Sequence, residues 1–298
     1  LDRDQLETFA TVVEQQSFER AASVLNVSRG AVSQRIKALE ESLATVLLVR
    51  DKPVVPTGRG EVLLRHVKAL RLLEDATLQE LLPDPALGKP VAVAIAVNTD
   101  SLATWFMEVV RLLLLQRRVA LELIVDDVDH TFPLLTRGEV IGCVSSAARA
   151  AQGFVAEPLG EMEYRCIASP AFAAAHFPDG ITLQAVLAAP AILLNRKDAL
   201  HDIFLAERFG FSIERYAKHY APSLPAVLDM IDMGAGYGMV PTRQVQAQLD
   251  RGALVDLAPA HPVPVKLYWH HWQTEPLLSR DITQLVMEEA RRSLSRGG

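Results

Sequence analysis

Between residues 18 and 43, apolar and polar positions recur with the period of two short helices broken by a tight turn. Val32, Ile36, Leu39 and Leu43 follow one another at helical spacing, which predicts one helix face turned toward a core. Across from that stripe, Arg29, Ser33 and Lys37 recur every fourth residue, with Gln34 beside them. Ser28 stands at the N-cap position, where its hydroxyl can accept an orphan backbone N–H. Ala21 and Ala22 in the preceding helix are small enough to let two helices approach closely. This is the layout of a helix-turn-helix whose second helix lies in the DNA major groove.

The pattern then changes period. Residues 46–50 and 53–56 read as two short strands joined by Asp51 and Lys52, a wing beside the recognition helix. A long helical stretch follows to residue 82, with Leu63, Val67, Leu70 and Leu73 on roughly one face. A helix this long, protruding from a small domain, predicts a partner for that face, so residues 59–82 read as a dimerisation helix. Pro83, Pro85, Gly88 and Pro90 make residues 83–90 a hinge. Beyond it strands are expected over 91–97, 119–125, 141–144, 191–194 and 238–240. Helices are expected over 101–116, 132–137, 199–209 and 224–233. Such alternation predicts an α/β fold with mostly parallel sheets covered by helices.

Composition narrows the function classes. Half of the 298 residues are hydrophobic, which excludes a disordered chain, and no apolar run approaches the roughly 20 residues of a membrane span. The first residues lack the basic-then-apolar pattern of a secretory signal, and a start at Leu1 implies a trimmed chain. Two cysteines, Cys143 and Cys166, both in apolar runs, point to buried inert thiols in a reducing cytoplasm. The net charge of −6 argues against a generic polyanion binder. Yet residues 27–39 hold Arg29, Arg35 and Lys37 and no acid, and local potential is what a phosphate backbone feels. The candidate DNA contacts are therefore Ser28, Arg29, Gly30, Ser33, Gln34, Arg35 and Lys37, with Arg50, Lys52 and Thr57 around the wing.

These residues resemble the LysR-type transcriptional regulators. The resemblance rests on Ala21-Ala22, on the Ser-x-x-Ala-Val-Ser-x-x-Ile-x-x-Leu-Glu phrase of residues 28–40, and on the long helix after the wing. Within that family the chain is most similar to the LysG/ArgP-type regulators of basic amino-acid export. The shared phrases include Phe18-Glu19-Arg20-Ala21-Ala22, Leu47-Leu48-Val49-Arg50, Asp100-Ser101-Leu102-Ala103-Thr104-Trp105, Arg137-Gly138-Glu139-Val140 and Leu267-Tyr268-Trp269-His270. The likeness spans nearly the whole chain. The wing departs from the commoner pattern, because Leu48 and Lys52-Pro53 replace an aromatic residue and a Gly/Arg-rich tip.

The resemblance implies a winged helix-turn-helix over residues 1–58 and a two-lobed effector domain, related to periplasmic binding proteins, over 91–298. Lobe one would comprise 91–163 and 269–298, and lobe two 164–268. It implies a cytoplasmic regulator, not an enzyme, acting as a homodimer or dimer of dimers on a double-stranded operator and engaging RNA polymerase. The regulated gene would be a basic amino-acid exporter, activated in response to L-lysine or L-arginine, with no cofactor and no metal. Two other readings stay open: a LysR-type regulator with a different small-molecule effector, and an architectural or replication-origin DNA binder.

Ligands in open α/β sheets bind beyond the carboxyl ends of strands and near helix N-termini. Those places hold Asn98, Asp100, Ser101 and Trp105, then Asp126 and Asp127, then Ser145 and Ser146. From the other lobe come Asn195 and Asp198, then Ser223, then Pro241 and Thr242. The acids suit a cationic ligand, and backbone N–H groups at Ser101 or Ser223 suit its carboxylate. Asp is also an ordinary strand-end turn residue; the resemblance favours a ligand role for Asp100 and one of Asp126 or Asp127. Two motifs are read as structural. Gly234-Ala235-Gly236-Tyr237-Gly238 follows a helix and precedes a strand, the reverse of the dinucleotide-binding order. His270 and His271 are neighbours on a strand and point to opposite faces, which disfavours chelation of one ion.

Arg29→Ala and Gln34→Ala are each expected to relax operator preference by roughly 1–3 kcal/mol. Arg50→Ala is expected to weaken binding to every sequence alike. Titration of operator and scrambled duplexes at fixed salt checks both, and an operator preference that survives both helix substitutions removes the assigned reading face.

Overall fold

The computed structural model describes residues 1–81, 89–125, 132–213 and 215–295. Helix α1 (Arg3–Gln15) is capped by Asp2, and α2 (Phe18–Val24) by Ser17. Helix α3 (Arg29–Ser42) opens on Ser28, whose hydroxyl accepts from Ala31 N at 3.1 Å. Val32, Ile36 and Leu39 enter a core with Phe9, Val12, Ala21 and Leu48. Leu43 does not: it is the C-cap of α3 and exposed, so the buried stripe ends one turn earlier than its periodicity suggests. Strands β1 (Leu48–Val49) and β2 (Val55–Pro56) form the wing as an antiparallel pair. Glu40 joins this wing to α3, accepting from Leu47 N at 2.8 Å and from Arg50 Nη2 at 3.0 Å.

Helix α4 (Gly58–Leu81) corrects an expectation. Leu63 and Val67, read as part of a dimer face, are buried in the chain's own DNA-binding core together with Leu64, and Leu70 packs against it. Arg71 strengthens this docking by ion pairs with Glu7 at 2.6 Å and Glu14 at 2.7 Å on α1. The first half of α4 thus contributes an apolar face to the core of the small N-terminal domain. Leu73 remains 45% exposed, as do Leu78 (60%) and Leu81 (74%) farther along. A second face of α4 meets the C-terminal domain. Leu72 is buried in that domain's core and Ala69 packs beside it. Arg65 donates to the Thr136 carbonyl at 3.0 Å and lies over the Phe154 ring at 4.8 Å.

The C-terminal domain begins with β3 (Val91–Val97), followed by α5 (Thr99–Ser101), a π-helical turn (Leu102–Phe106) and α6 (Met107–Gln116) as one continuous helix. Next come β4 (Val119–Val125), α7 (Phe132–Thr136), β5 (Gly142–Ser145) and the long β6 (Phe154–Ala168). The far part holds α8 (Pro170–His176), α9 (Leu183–Ala188), β7 (Ala191–Leu193), α10 (Leu200–Phe209), β8 (Lys218–Tyr220) and α11 (Leu224–Asp232). The chain then runs through β9 (Tyr237–Pro241), α12 (Thr242–Asp250), β10 (Val255–Asp256), β11 (Val263–Trp272) and α13 (Leu277–Ser293).

The described strands of the C-terminal domain form one sheet in the order β4-β3-β5-β11-β6-β9-β7-β8, with β10 beside β6. Its two arms are parallel, as expected: β3 with β4 and β5, and β7 with β8 and β9. Its centre is not. There β5, β11, β6 and β9 pair antiparallel, because β6 and β11 are the two passages of the chain from one arm to the other and run in opposite senses. The expected lobe boundaries at 163/164 and 268/269 fall inside these two strands. The pair bends at a register shift between Leu267 and Tyr268, facing Gly160 at φ 130°. A Cβ at Gly160 would lie 2.7 Å from the Ser295 carbonyl, so this bend admits only glycine without a shift of the C-terminal segment.

His201, on α10, is wholly buried and rests edge-on against Tyr237. Burial pulls its pKa from 6.5 to about 3, against the pull of Asp202. The unfolded chain therefore binds a proton below about pH 6.5 that the folded chain refuses, and stability falls as pH falls through that range. His271 acts in the opposite sense: burial lowers its pKa, but Glu275, the Trp272 carbonyl and Glu157 together raise it above the usual value, so its contribution is lost as pH rises. The difference between wild type and His201→Phe isolates the first effect. We expect the pH 5 to pH 7 stability difference to shrink by about 2 kcal/mol in the variant. Trp105, Trp269 and Trp272 all lie in this domain, so urea unfolding followed by tryptophan fluorescence reads it directly.

Candidate nucleic-acid interface and effector cleft

Eight of the ten candidate DNA contacts are exposed at α3 or the wing: Ser28, Arg29, Gly30, Ser33, Gln34, Lys37, Arg50 and Lys52. Arg29 pairs with Glu19 on α2 at 3.1 Å and Lys37 with Glu41 at 3.6 Å, both on open surface. Such pairs are weak and exchange readily for phosphate. Arg50 lies between Glu40 and the Phe18 ring. Arg35, Ser28 and Thr57 have structural tasks within the chain. Arg35 turns toward α1, donating to Asp4 Oδ2 at 3.1 Å and Thr8 Oγ1 at 3.3 Å. Ser28 is occupied as the N-cap. Thr57 donates to the Val46 carbonyl at 2.9 Å and accepts from Gly60 N at 3.1 Å, so it stitches the wing to the start of α4.

Between the two arms of the large sheet lies a cavity of about 250 Å³. Asn98, Thr99, Asp100 and Ser146 line it from one arm, and Asn195, Lys197 and Asp198 from the other. Tyr164 and Val265, on the crossing strands, complete the polar side and floor. Leu194, Leu200, Ile203, Leu224, Val227 and Met239 form an apolar wall. Of the expected ligand residues, Asn98, Asp100, Ser146 and Asn195 thus come together across the cavity. Ser101, Trp105, Ser145, Ser223 and Pro241 stand outside its lining. Ser101 and Trp105 are buried on the inner side of the helix that begins at α5, where Trp105 packs on Phe106. Ser145 accepts from Ala147 N at 3.1 Å, Ser223 caps α11, and Pro241 is buried opposite Tyr164. Asp126 and Asp127 lie outside the described residues.

Individual polar groups in the cleft have distinct tasks. Asp198 accepts from Leu194 N at 3.1 Å and Leu200 N at 3.0 Å, so its carboxylate closes the loop before α10. Asn195 Oδ1 accepts from Lys197 N at 2.7 Å in the same loop. Asn98 Oδ1 is buried with no hydrogen-bond partner among the described residues. Asp100 accepts from the Tyr164 hydroxyl at 2.6 Å. Asp198 reaches the cleft, as its place in the loop after a strand suggests, whereas Tyr164 and Lys197 escaped the sequence reading. Tyr164 sits in an alternating strand and carries no loop signal.

The two motifs read as structural have structural surroundings. Gly234, at φ 78°, turns the chain after α11, and a Cβ on Gly236 would stand 2.5 Å from the Pro190 carbonyl. His270 Nε2 lies 2.7 Å from the Ala147 carbonyl, while His271 lies between Glu157 at 3.3 Å and Glu275 at 3.2 Å. No three His, Cys, Asp or Glu side chains gather into a metal site among the described residues. No helix among them is long and apolar enough to cross a membrane.

A winged helix-turn-helix joined by one helix to an α/β domain with a ligand-sized cleft defines a ligand-responsive DNA-binding regulator. The family descriptions "Bacterial regulatory helix-turn-helix protein, lysR family" and "LysR substrate binding domain" match residues 3–61 and 92–291. The chain belongs to the LysR family of bacterial transcription regulators, which are not enzymes. It is 40% identical over 297 residues to the HTH-type transcriptional regulator ArgP of Aeromonas salmonicida, covering 100% of this chain and 99% of that one. ArgP from Mycobacterium tuberculosis has the same fold, with TM-score 0.90, 36% identity and 100% of both chains covered. Full-length LysG from Corynebacterium glutamicum with bound effector Arg matches with TM-score 0.85 and 31% identity, over 99% of this chain and 100% of that one.

Asp198→Ala would leave two backbone N–H groups unpaired at the rim. We expect it to destabilise the C-terminal domain by about 1–3 kcal/mol, with Asp198→Asn closer to wild type, in thermal unfolding followed by tryptophan fluorescence.

Proposed function

We propose that this regulator senses L-arginine or L-lysine in the cleft between its sheet arms, with Asp100 facing the cationic group. The observation that carries this reading is a carboxylate at the edge of an apolar-walled cavity. A basic amino acid has the matching form: methylenes to lie on Leu200, Ile203 and Val227, each worth about 0.8 kcal/mol when buried, and a cation for Asp100. Asn98 Oδ1 offers a buried acceptor to a ligand N–H, and Lys197 at the rim suits the ligand carboxylate. The arginine bound by LysG of Corynebacterium glutamicum, a relative over nearly the whole chain, supports the same ligand class.

On DNA, Arg29, Ser33, Gln34 and Lys37 would read bases from the exposed face of α3, with Arg50 and Lys52 on phosphates. Arg35 then serves α1 rather than the operator. Self-association would use the exposed second half of α4, from Leu73 onward, to place two such domains on a dyad operator. The protein would act in the cytoplasm, with RNA polymerase, as an activator of a basic amino-acid exporter gene. Ligand binding would change DNA contacts to the extent that it favours one arrangement of α4 over another.

Calorimetric titration with L-arginine and L-lysine, against L-leucine, L-histidine and L-glutamate, tests the effector. We expect saturable binding of the two basic amino acids alone. Asp100→Asn should lower both affinities by about 3 kcal/mol, on the order of a hundredfold. Wild-type protein that binds neither amino acid would sink the effector assignment and leave the family membership standing.

A further inference from the structure

Asn98 occupies the N-cap position of the continuous helix 99–116, with cap backbone angles of φ −74° and ψ 153°. Asparagine is favoured at such a position because its side-chain oxygen ordinarily accepts a first-turn N–H. Asp2, Ser17, Ser28, Thr182 and Ser223 make that bond at other helices of the chain. Asn98 makes no side-chain cap bond. Its side chain lines the cleft instead, only 7% exposed, and its Oδ1 has no hydrogen-bond partner among the described residues. A buried acceptor without a donor is destabilising, and a forgone cap adds to the cost. Neither the helix nor the core gains from this placement, and a donor carried in by a ligand removes the larger penalty.

We propose that Asn98 Oδ1 receives the α-ammonium group of the effector, so that the cleft selects amino acids with a free α-amino group over basic ligands that lack it or carry it blocked. This rests on the reading above that a basic amino acid enters with its side-chain cation at Asp100. Such a ligand has two cationic groups and one carboxylate. With the side chain at Asp100 and the carboxylate at Lys197, the α-ammonium is the donor still to be placed. Asn98 supplies a buried side-chain acceptor that nothing among the described residues engages. An ammonium carries three donors, and a neutral amide oxygen accepts one of them without adding charge to the cleft. No bond among the described residues fixes which end of the amide faces the cavity, so the ligand N–H selects the oxygen. The bond is charge-assisted, hence stronger than one between neutral groups. An Nα-acyl derivative loses the charge and two of the donors and brings bulk against a buried side chain, so the cleft passes over it.

Desamino-arginine keeps the guanidinium, the methylenes and the carboxylate, and has hydrogen in place of the α-ammonium. Full-length wild type and Asn98→Leu are titrated calorimetrically with L-arginine and with desamino-arginine. The quantity read is the ratio of the desamino-arginine Kd to the arginine Kd. We expect a ratio of about thirty in wild type, the scale of one hydrogen bond to a charged group. Leucine is close to asparagine in volume and offers no acceptor, so in Asn98→Leu arginine alone weakens and the ratio falls to about three. A residue that merely shapes the cleft would weaken both ligands by one factor, so an equal ratio in the two proteins overturns the proposal. Asn98→Asp retains an acceptor and is expected to keep the preference for arginine; its loss there also counts against the assignment. If tryptophan fluorescence shows Asn98→Leu to be unfolded, Asn98→Ala carries the same comparison. Failure at the two levels is separable. Wild type that binds no arginine removes the effector reading, and the Asn98 assignment with it. Arginine binding with a ratio that Asn98→Leu leaves unchanged removes the Asn98 assignment alone.

Discussion

Helix α4 is buried on two faces at once, and the remaining parts of the molecule are arranged around that double burial. Leu63, Leu64 and Val67 complete the DNA-binding core, while Ala69 and Leu72 pack on the C-terminal domain a few residues later. Residues three and four apart share a helix face, so stripes offset by one or two positions address two different bodies. A rigid helix with both faces engaged holds the recognition helix in a defined orientation relative to the effector domain. The Arg65 contact with Thr136 and Phe154 adds a polar lock to that junction. The exposed leucines beyond Leu73 are the part of α4 still available to another chain.

The second organising constraint is the crossing pair β6 and β11. Each parallel arm is a small α/β layer that needs helices on its faces. Two long antiparallel strands passing between the arms merge them into one sheet. The bend at Gly160 opens the arms into a cleft with residues of both strands at its floor. Tyr164 and Val265 therefore come from segments that no strand-end argument would single out, although strand ends supply Asn98, Asp100, Ser146 and Asn195.

Electrostatics are local throughout. The chain is acidic overall, yet α3 presents Arg29 and Lys37 in pairs that water and phosphate can compete for, whereas Arg35 and Arg71 stitch helices together. The same residue type serves operator or scaffold according to which face of a helix it occupies. In the cleft the division is similar: Asp198 accepts from two backbone N–H groups of its own loop, while Asp100 accepts from a phenol on a crossing strand.

The sequence by itself determined the elements and the class. The periodicity of residues 28–40 specifies a capped, amphipathic recognition helix because spacing alone decides which side chains share a face. The apolar runs near 91–97, 141–144 and 191–194 specify strands whose ends carry polar loop residues, and Asn98, Asp100, Ser146 and Asn195 from those ends meet at the cleft. Tertiary structure decided what each face meets. Periodicity shows that Leu63 and Val67 must be buried but not against what, and only the assembled domain places them in their own core. The same holds for Arg35, which lies one position from the reading face and is claimed by Asp4, distant in sequence. It holds for Tyr164 as well, because a hydrogen bond between residues 64 apart depends on sheet register and strand bend, and neither is written in local composition.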